Sequence, residues 1–264
     1  MPRAKRRLGQ HFLSDPRILQ RIADALGPTV HDTVLEIGPG PGGLTTALAA
    51  RAGRVVAIEK DADLVPDLRA RFPGVTVVEG DALELDWHTL GGPGALVAGN
   101  IPYNITSPLI DKALAPPRPP RIVFLVQKEV ADRVTARAGE GAYGALSIGV
   151  QAVARTERLF VVPAGAFHPR PKVDSAVLRL TPLDSPLVPD AEIPMFRRLV
   201  VGLFGFRRKQ LGRGVRELTG WAPGQVAEVL ARAEVEPAAR PETLEPRTFV
   251  RLLHALVDGG WAGK

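Results

Sequence analysis

Five short runs of β-branched and apolar residues, Thr33 to Ile37, Arg54 to Ile58, Val75 to Glu79, Ala95 to Gly99 and Ile122 to Gln127, begin at intervals of roughly 20 residues with helical spacing between them. A strand followed by a crossover helix fills such an interval, so the pattern predicts an α/β fold, doubly wound around a mostly parallel sheet. Ahead of the first run, Ser14-Asp15-Pro16 offers a cap and an early proline to a helix in which Ile18, Ile22 and Leu26 share a face, and Gly27-Pro28 ends it. Ala152 to Phe160 and Val177 to Leu180 read as further strands suited to an antiparallel edge, separated by a proline-rich hinge over 163–171. Pro182, Pro186, Pro189 and Pro194 then change the register, and only helical spacing follows, as in Val226, Val229, Leu230 and Ala233. The expected organisation is a sheet domain over residues 1–185 and a small helical domain over 186–264.

The first of those strands runs into Gly38-Pro39-Gly40-Pro41-Gly42-Gly43, whose Gly38, Gly40 and Gly43 satisfy the G-x-G-x-x-G spacing of a nucleotide-binding turn. Glu59 ends the second strand, where a ribose-binding carboxylate belongs. A nicotinamide dehydrogenase is one reading. Against it, Pro39 and Pro41 remove backbone N–H groups from the loop that would have to cradle a pyrophosphate. A cofactor with a ribose and an adenine but no phosphate suits the loop better, and S-adenosylmethionine is the expected cofactor. The third strand ends in Gly80-Asp81-Ala82. Asp81 either accepts from an adenine amino group or caps the helix that follows.

The fourth strand ends in Asn100-Ile101-Pro102-Tyr103, close to the Asn-Pro-Pro-Tyr loop of amino-methyltransferases. The exocyclic amine of adenine is a poor nucleophile because its lone pair is delocalised into the ring. The side-chain carbonyl of Asn100 and the backbone carbonyl of Ile101 can each accept one of its hydrogens, favouring a pyramidal nitrogen aimed at a methyl group. Pro102 would fix the loop and Tyr103 would stack on a base extruded from its helix. The plain alternative is an ordinary Asn-x-Pro turn and a core aromatic. Its place at the carboxyl end of a strand, where open α/β sheets do chemistry, favours the functional reading. No general base is evident, and the methylated amine can release its proton to water.

Composition narrows the partners. Hydrophobic residues at 45% and charged residues at 23% exclude a disordered or fibrous chain, and no apolar run approaches the roughly 20 residues of a membrane span. There is no cysteine, hence no disulfide framework, thiolate nucleophile or cysteine-bound zinc, and the five histidines show no metal-binding spacing. A cytoplasmic location and a site without metal are expected. The net charge of +6 is carried largely by 27 arginines and favours a polyanionic partner. Arg3, Lys5, Arg6 and Arg7 form a basic arm with no apolar stretch behind it, which argues against a secretory signal. Phe196 to Arg216 contains Arg197, Arg198, Arg207, Arg208, Lys209, Arg213 and Arg216 and no acid; this is either a solvated basic helix or a surface that tracks phosphates.

In this order, Gly9-Gln10-His11-Phe12-Leu13, Leu35-Glu36-Ile37-Gly38-Pro39-Gly40, Glu59-Lys60-Asp61, Gly80-Asp81-Ala82, Asn100-Ile101-Pro102-Tyr103-Asn104 and Phe167-His168-Pro169-Arg170-Pro171-Lys172-Val173 resemble the ribosomal RNA adenine N6-dimethyltransferases. The resemblance is to the KsgA branch, which dimethylates adjacent adenosines in a hairpin near the 3′ end of small-subunit rRNA. It implies a Rossmann-like methyltransferase domain and a C-terminal helical domain that binds RNA or the ribosome. It further implies that His11 and Leu13 close over the cofactor, with Gly38 near its methionine part, Glu59 at the ribose, Asp81 at the adenine and Asn100 between methyl donor and target, and with Gly40, Lys60 and Ala82 also in the cofactor site. Phe167 is implied as a second aromatic sandwiching the base opposite Tyr103, and Arg170, Lys172, Arg207, Arg208 and Lys209 as RNA contacts. The expected partner is small-subunit rRNA or an immature small subunit, met by a monomer. The large-subunit rRNA methyltransferases that confer macrolide resistance share these motifs and are the nearest alternative; a non-catalytic assembly or transcription factor on the same fold is another.

Overall fold

The computed structural model describes Lys5 and residues 8–263; Arg3, Arg6 and Arg7 of the basic arm lie outside the described residues. In chain order the elements are β1 (Phe12–Leu13), α1 (Pro16–Leu26), β2 (Thr33–Ile37), α2 (Gly43–Ala49), β3 (Arg54–Glu59), α3 (Val65–Arg71), β4 (Val75–Glu79), α4 (Trp87–Gly91), β5 (Leu96–Asn100) and α5 (Thr106–Ala113). They continue with β6 (Ile122–Gln127), α6 (Lys128–Thr135), α7 (Ala145–Gln151), β7 (Ala154–Val162), β8 (Phe167–His168), β9 (Ser175–Pro182), α8 (Ile193–Gly205), α9 (Leu211–Thr219), α10 (Pro223–Arg232) and α11 (Pro246–Asp258).

A seven-stranded sheet takes the order β4-β3-β2-β5-β6-β9-β7, parallel from β4 through β6, with β9 antiparallel to β6. This is the doubly wound α/β fold the strand spacing predicts. From β2 the chain winds outward to β3 and β4, then returns to β5 on the other side, so the order reverses between β2 and β5. Crevices for ligands open at such a reversal, outside the carboxyl ends of the strands. The register brings those ends level: Ile37 pairs with both Ile58 and Gly99, Glu59 with Glu79, and Asn100 with Leu125. Every residue with expected chemistry at a strand end therefore arrives on one edge.

Local signals explain the first helix. Asp15 accepts from the amides of Arg17 (2.8 Å) and Ile18 (3.4 Å), Pro16 occupies the first helical position, and Gly27 closes the helix with φ +63°. Its Leu19, Ile22, Ala23 and Leu26 are buried with Leu44 and Leu48 of α2 and Val34, Val55, Ala98, Val123 and Val177 of the sheet. Complete burial of a side chain such as Ile22 or Leu26 stabilises by about 1.5–3 kcal/mol.

The chain divides into two compact units. One runs to Ala131 and resumes over Thr156–Pro182; the other comprises Asp132–Arg155 and the residues from Leu183 onward. The helical unit is thus not a plain C-terminal segment, because 132–155, assigned by sequence to the sheet domain, packs with it. Within that unit the buried Tyr143 donates its hydroxyl to Leu244 O (2.8 Å), Gly139 N–H donates to Glu242 O (2.8 Å) and Leu187 N–H to Ala152 O (2.8 Å). Phe204 of α8 packs between Tyr143 and Phe249 of α11, with centroids 6.4 and 6.2 Å away. Among the described residues no helix is long and apolar enough to cross a membrane.

Candidate active site

Gly38 and Gly40 carry the chain over the end of β2 with φ +68° and +56°, a backbone that side chains rarely adopt. At Gly40 a Cβ would also come within 3.1 Å of the Phe12 ring. All the amides of residues 38–42 are committed: Gly38 N–H donates to Ile58 O (2.9 Å), Gly42 N–H to Pro39 O (2.9 Å) and Gly40 N–H to Glu59 Oε2 (3.0 Å), while Pro39 and Pro41 have none. No donor in this stretch remains for a pyrophosphate. Glu59 is held through both oxygens, Oε1 accepting from Asp61 N–H at 2.8 Å. Burial pushes its carboxyl above the ordinary range, and the amides of Asp61 and Gly40 oppose that. Each oxygen keeps a lone pair that can accept from a ribose hydroxyl.

Beneath the loop lies Glu36 of β2, 1% exposed, whose two carboxyl oxygens find no partner among the described residues; the buried Thr45 hydroxyl has none either. Desolvation pushes Glu36 up to about 8, against the influence of the neighbouring Thr45 hydroxyl and reinforced by Glu59.

Asp81 is not the cap of the helix that follows: α4 is capped by Asp86, which accepts from His88 and Thr89 N–H. Asp81 Oδ1 instead accepts from Leu83 N–H (2.9 Å) within a turn, and its Oδ2 pairs with Lys60 Nζ (2.5 Å). The Lys60 ammonium, helped by the Leu83 amide against partial burial, holds the carboxyl below its usual value. A second clasp has no signature in the sequence: Lys5 Nζ meets Asp61 Oδ1 (2.5 Å) and also Asp63, and Gln10 Nε2 donates to Asp61 Oδ2 (2.9 Å). It ties the chain before β1 to the end of β3. No spacing rule could reveal contacts 51 and 56 residues apart.

At the end of β5, Asn100 Nδ2 donates to the backbone oxygen of His11 (2.8 Å). With its nitrogen so engaged, Asn100 Oδ1 is the amide atom left to accept. The Tyr103 hydroxyl hydrogen-bonds Ser175 Oγ of β9 (2.8 Å), and partial burial raises its pKa. Its ring is stacked by the imidazole of His11, centroids 5.5 Å apart and planes 26° apart. His11 Nδ1 in turn meets Pro169 O at 2.8 Å.

One cavity, with roughly 1110 Å³ of empty space including its open mouth, collects these groups. His11, Leu13, Gly38, Gly40, Glu59 and Lys60 line it, as do Asp81, Ala82, Asn100, Ile101, Pro102 and Tyr103. Phe167 is placed elsewhere. The β1–β8 pairing sets it opposite Leu13, and it is 5% exposed in the apolar cluster with Leu13, Leu19 and Leu44. In this conformation the ring facing Tyr103 is His11, not Phe167.

Arg170 and Lys172 are exposed in the sheet unit, and Arg207 and Arg208 in the helical unit. Lys209 is half-buried, with Nζ 3.0 Å from Glu217 and 4.9 Å from the Phe206 ring. That acid lies one residue beyond the basic stretch, so sequence density overstated the charge Lys209 offers to a partner.

Comparison with known proteins agrees with the geometry. Residues 1–256 match the family model described as ribosomal RNA adenine dimethylase. The ribosomal RNA small subunit methyltransferase A of Acidithiobacillus ferrooxidans is 42% identical over 265 residues, covering 98% of this chain and 97% of that protein. Among solved structures, a dimethyladenosine transferase from Plasmodium falciparum is similar with TM-score 0.84 and 28% identity over 95% of this chain and 98% of its own. The 23S rRNA methyltransferase ErmE follows with TM-score 0.73 and 29% identity, covering 93% and 99%.

Proposed function

The chain belongs to the ribosomal RNA adenine dimethylase family, and from that membership and the site we propose that it transfers methyl groups from S-adenosylmethionine to the N6 amines of adjacent adenosines in a hairpin near the 3′ end of small-subunit rRNA, during ribosome biogenesis in the cytoplasm. The observation that carries the reading is the orientation of Asn100. Its amide nitrogen is bound to His11 O, so its oxygen is left to accept from a target amine in the same cavity that Gly38, Glu59 and Asp81 line.

The residues present fit that cofactor. A loop with every amide from 38 to 42 committed or absent suits a ligand without phosphates, and Glu59, fixed by two amides, offers acceptors to ribose hydroxyls. Asp81, held by Lys60 and the Leu83 amide, is an acceptor for the adenine amino group. When bound, S-adenosylmethionine supplies an electrophilic methyl on a sulfonium. In the first transfer Asn100 Oδ1 and the Ile101 carbonyl hold the two N6 hydrogens of the target, and in the second transfer one of them holds the hydrogen that remains. Each time this localises the nitrogen lone pair, an electrostatic contribution made mainly in the transition state. Tyr103, anchored by Ser175, supplies a stacking platform for the base. The proton freed from nitrogen passes to water.

The small-subunit substrate is favoured over the large-subunit one by the likeness to the small subunit methyltransferase A of A. ferrooxidans, 42% identical along nearly the whole chain. Arg207 and Arg208, with Arg170 and Lys172, are the proposed phosphate contacts. The test is nucleoside mass spectrometry of small subunits lacking adenine dimethylation, after incubation with the protein and S-adenosylmethionine. N6,N6-dimethyladenosine should appear. Modification of large-subunit rRNA alone, or none despite cofactor and RNA binding, would overturn the reading.

A further inference from the structure

The contact between His11 and Tyr103 bears on how a target base enters. Stacked bases are spaced by about 3.4 Å, so a base held between two rings needs their centres about 7 Å apart. The His11 and Tyr103 centroids are 5.5 Å apart, leaving no room for one. The two rings also differ in freedom. Tyr103 is pinned through its hydroxyl to the buried Ser175 of β9, whereas the half-exposed His11 side chain has one tether, Nδ1 to Pro169 O. The contact that orients Asn100 uses the backbone oxygen of His11, so a turn of the His11 side chain clears the Tyr103 face without disturbing Asn100.

We propose that His11 is a placeholder on the base platform: its imidazole covers the face of Tyr103 in the free enzyme, and an extruded purine displaces it. This rests on the reading of Tyr103 as the platform for the target adenine. The exchange selects among bases. A five-membered ring and one hydrogen bond are given up, and only a partner with a larger stacking area, a bicyclic purine rather than a pyrimidine, gains from taking their place. His11 is thereby a specificity-determining residue that acts before the methyl transfer.

The experiment uses the full chain with isotope-labelled histidine, S-adenosylhomocysteine in the cofactor site, and a hairpin RNA copying the 3′ end of small-subunit rRNA. Of the five imidazole signals, that of His11 is identified by its loss in His11→Asn. It should be displaced by the Tyr103 ring current in the free enzyme, relax in Tyr103→Leu, and relax in the same sense when the hairpin is added. A hairpin with uridines at the target positions should leave it stacked. With saturating S-adenosylmethionine, His11→Ala should lower KM for the hairpin about three- to tenfold, the equilibrium weight of one aromatic pair. An imidazole signal that stays stacked while hairpin saturates the enzyme, or a raised KM in His11→Ala with methylation abolished in Tyr103→Ala, overturns the placeholder and leaves the platform standing. Unchanged KM and turnover in Tyr103→Ala overturns both.

Discussion

Replacing Glu36 by glutamine should make the protein more stable at neutral and alkaline pH and remove much of the pH dependence of its unfolding. In the native chain this carboxyl is 1% exposed, has no hydrogen-bond partner among the described residues, and is pushed by desolvation from an ordinary 4.5 to about 8. A raised acid binds its proton more tightly when folded. Its stabilising effect is therefore complete below pH 4.5 and lost as pH rises to about 8. Across that window each pH unit costs about 1.4 kcal/mol, which accumulates to about 3 kcal/mol at pH 7 and about 4 kcal/mol at pH 8, where the folded group is itself half ionised. Glu59, also raised by burial, contributes with the same sign, while Asp61 and Asp81, both lowered, lose their contribution only in acid below the window. The difference between native chain and Glu36→Gln isolates the one group. Thermal unfolding followed from pH 5 to 8 should give nearly coincident midpoints at pH 5 and a variant higher by about 5–10 °C at pH 8. Parallel curves across the range would mean that Glu36 ionises as readily folded as unfolded, and the desolvation argument would be wrong.

Three further outcomes follow from the geometry. Asn100→Ala should lower turnover about 10²-fold or more with cofactor affinity nearly unchanged, as for loss of a group acting mainly in the transition state; single-turnover kinetics beside cofactor titration separates the two, and unchanged turnover removes the assigned role. Gly40→Ala should weaken cofactor binding and lower the melting temperature, because φ +56° is strained for alanine and the new Cβ meets the Phe12 ring at 3.1 Å; native affinity by calorimetry would contradict the loop's role. Arg207→Ala with Arg208→Ala should flatten the slope of RNA affinity against salt by about 1 to 2, as expected for two phosphate contacts, whereas Lys209→Ala should change it less because Glu217 already holds that ammonium; equal slopes for native and double variant would place the RNA elsewhere.

The strand pattern was legible because it is local. A run such as Ile122 to Gln127 declares itself by composition, and once five such runs are parallel, topology alone carries the residues after them to one edge. Gly38, Glu59, Asp81 and Asn100 thus face a common cavity although 62 residues separate the first from the last. What the sequence could not show depends on contacts with no period. Residues 132–155 join the helical unit through Tyr143 and Leu244, 101 residues apart, where a division drawn at prolines assumes continuous domains. Phe167 lies in a two-residue strand, too short for alternation to say which way its ring turns; the pairing with Leu13 commits it to the apolar cluster. His11 was assigned to the cofactor side by motif, yet its carbonyl fixes the amide of Asn100 and its ring covers Tyr103. Motif position therefore brought these residues to one cavity, while the direction in which Asn100 presents its oxygen is settled by an acceptor 89 residues earlier. An amide turned the other way would present N–H to a target amine and oppose the lone-pair localisation proposed for Asn100, so on that proposal the segment before α1 orients the reacting end of the site as well as lining the wall of the cavity.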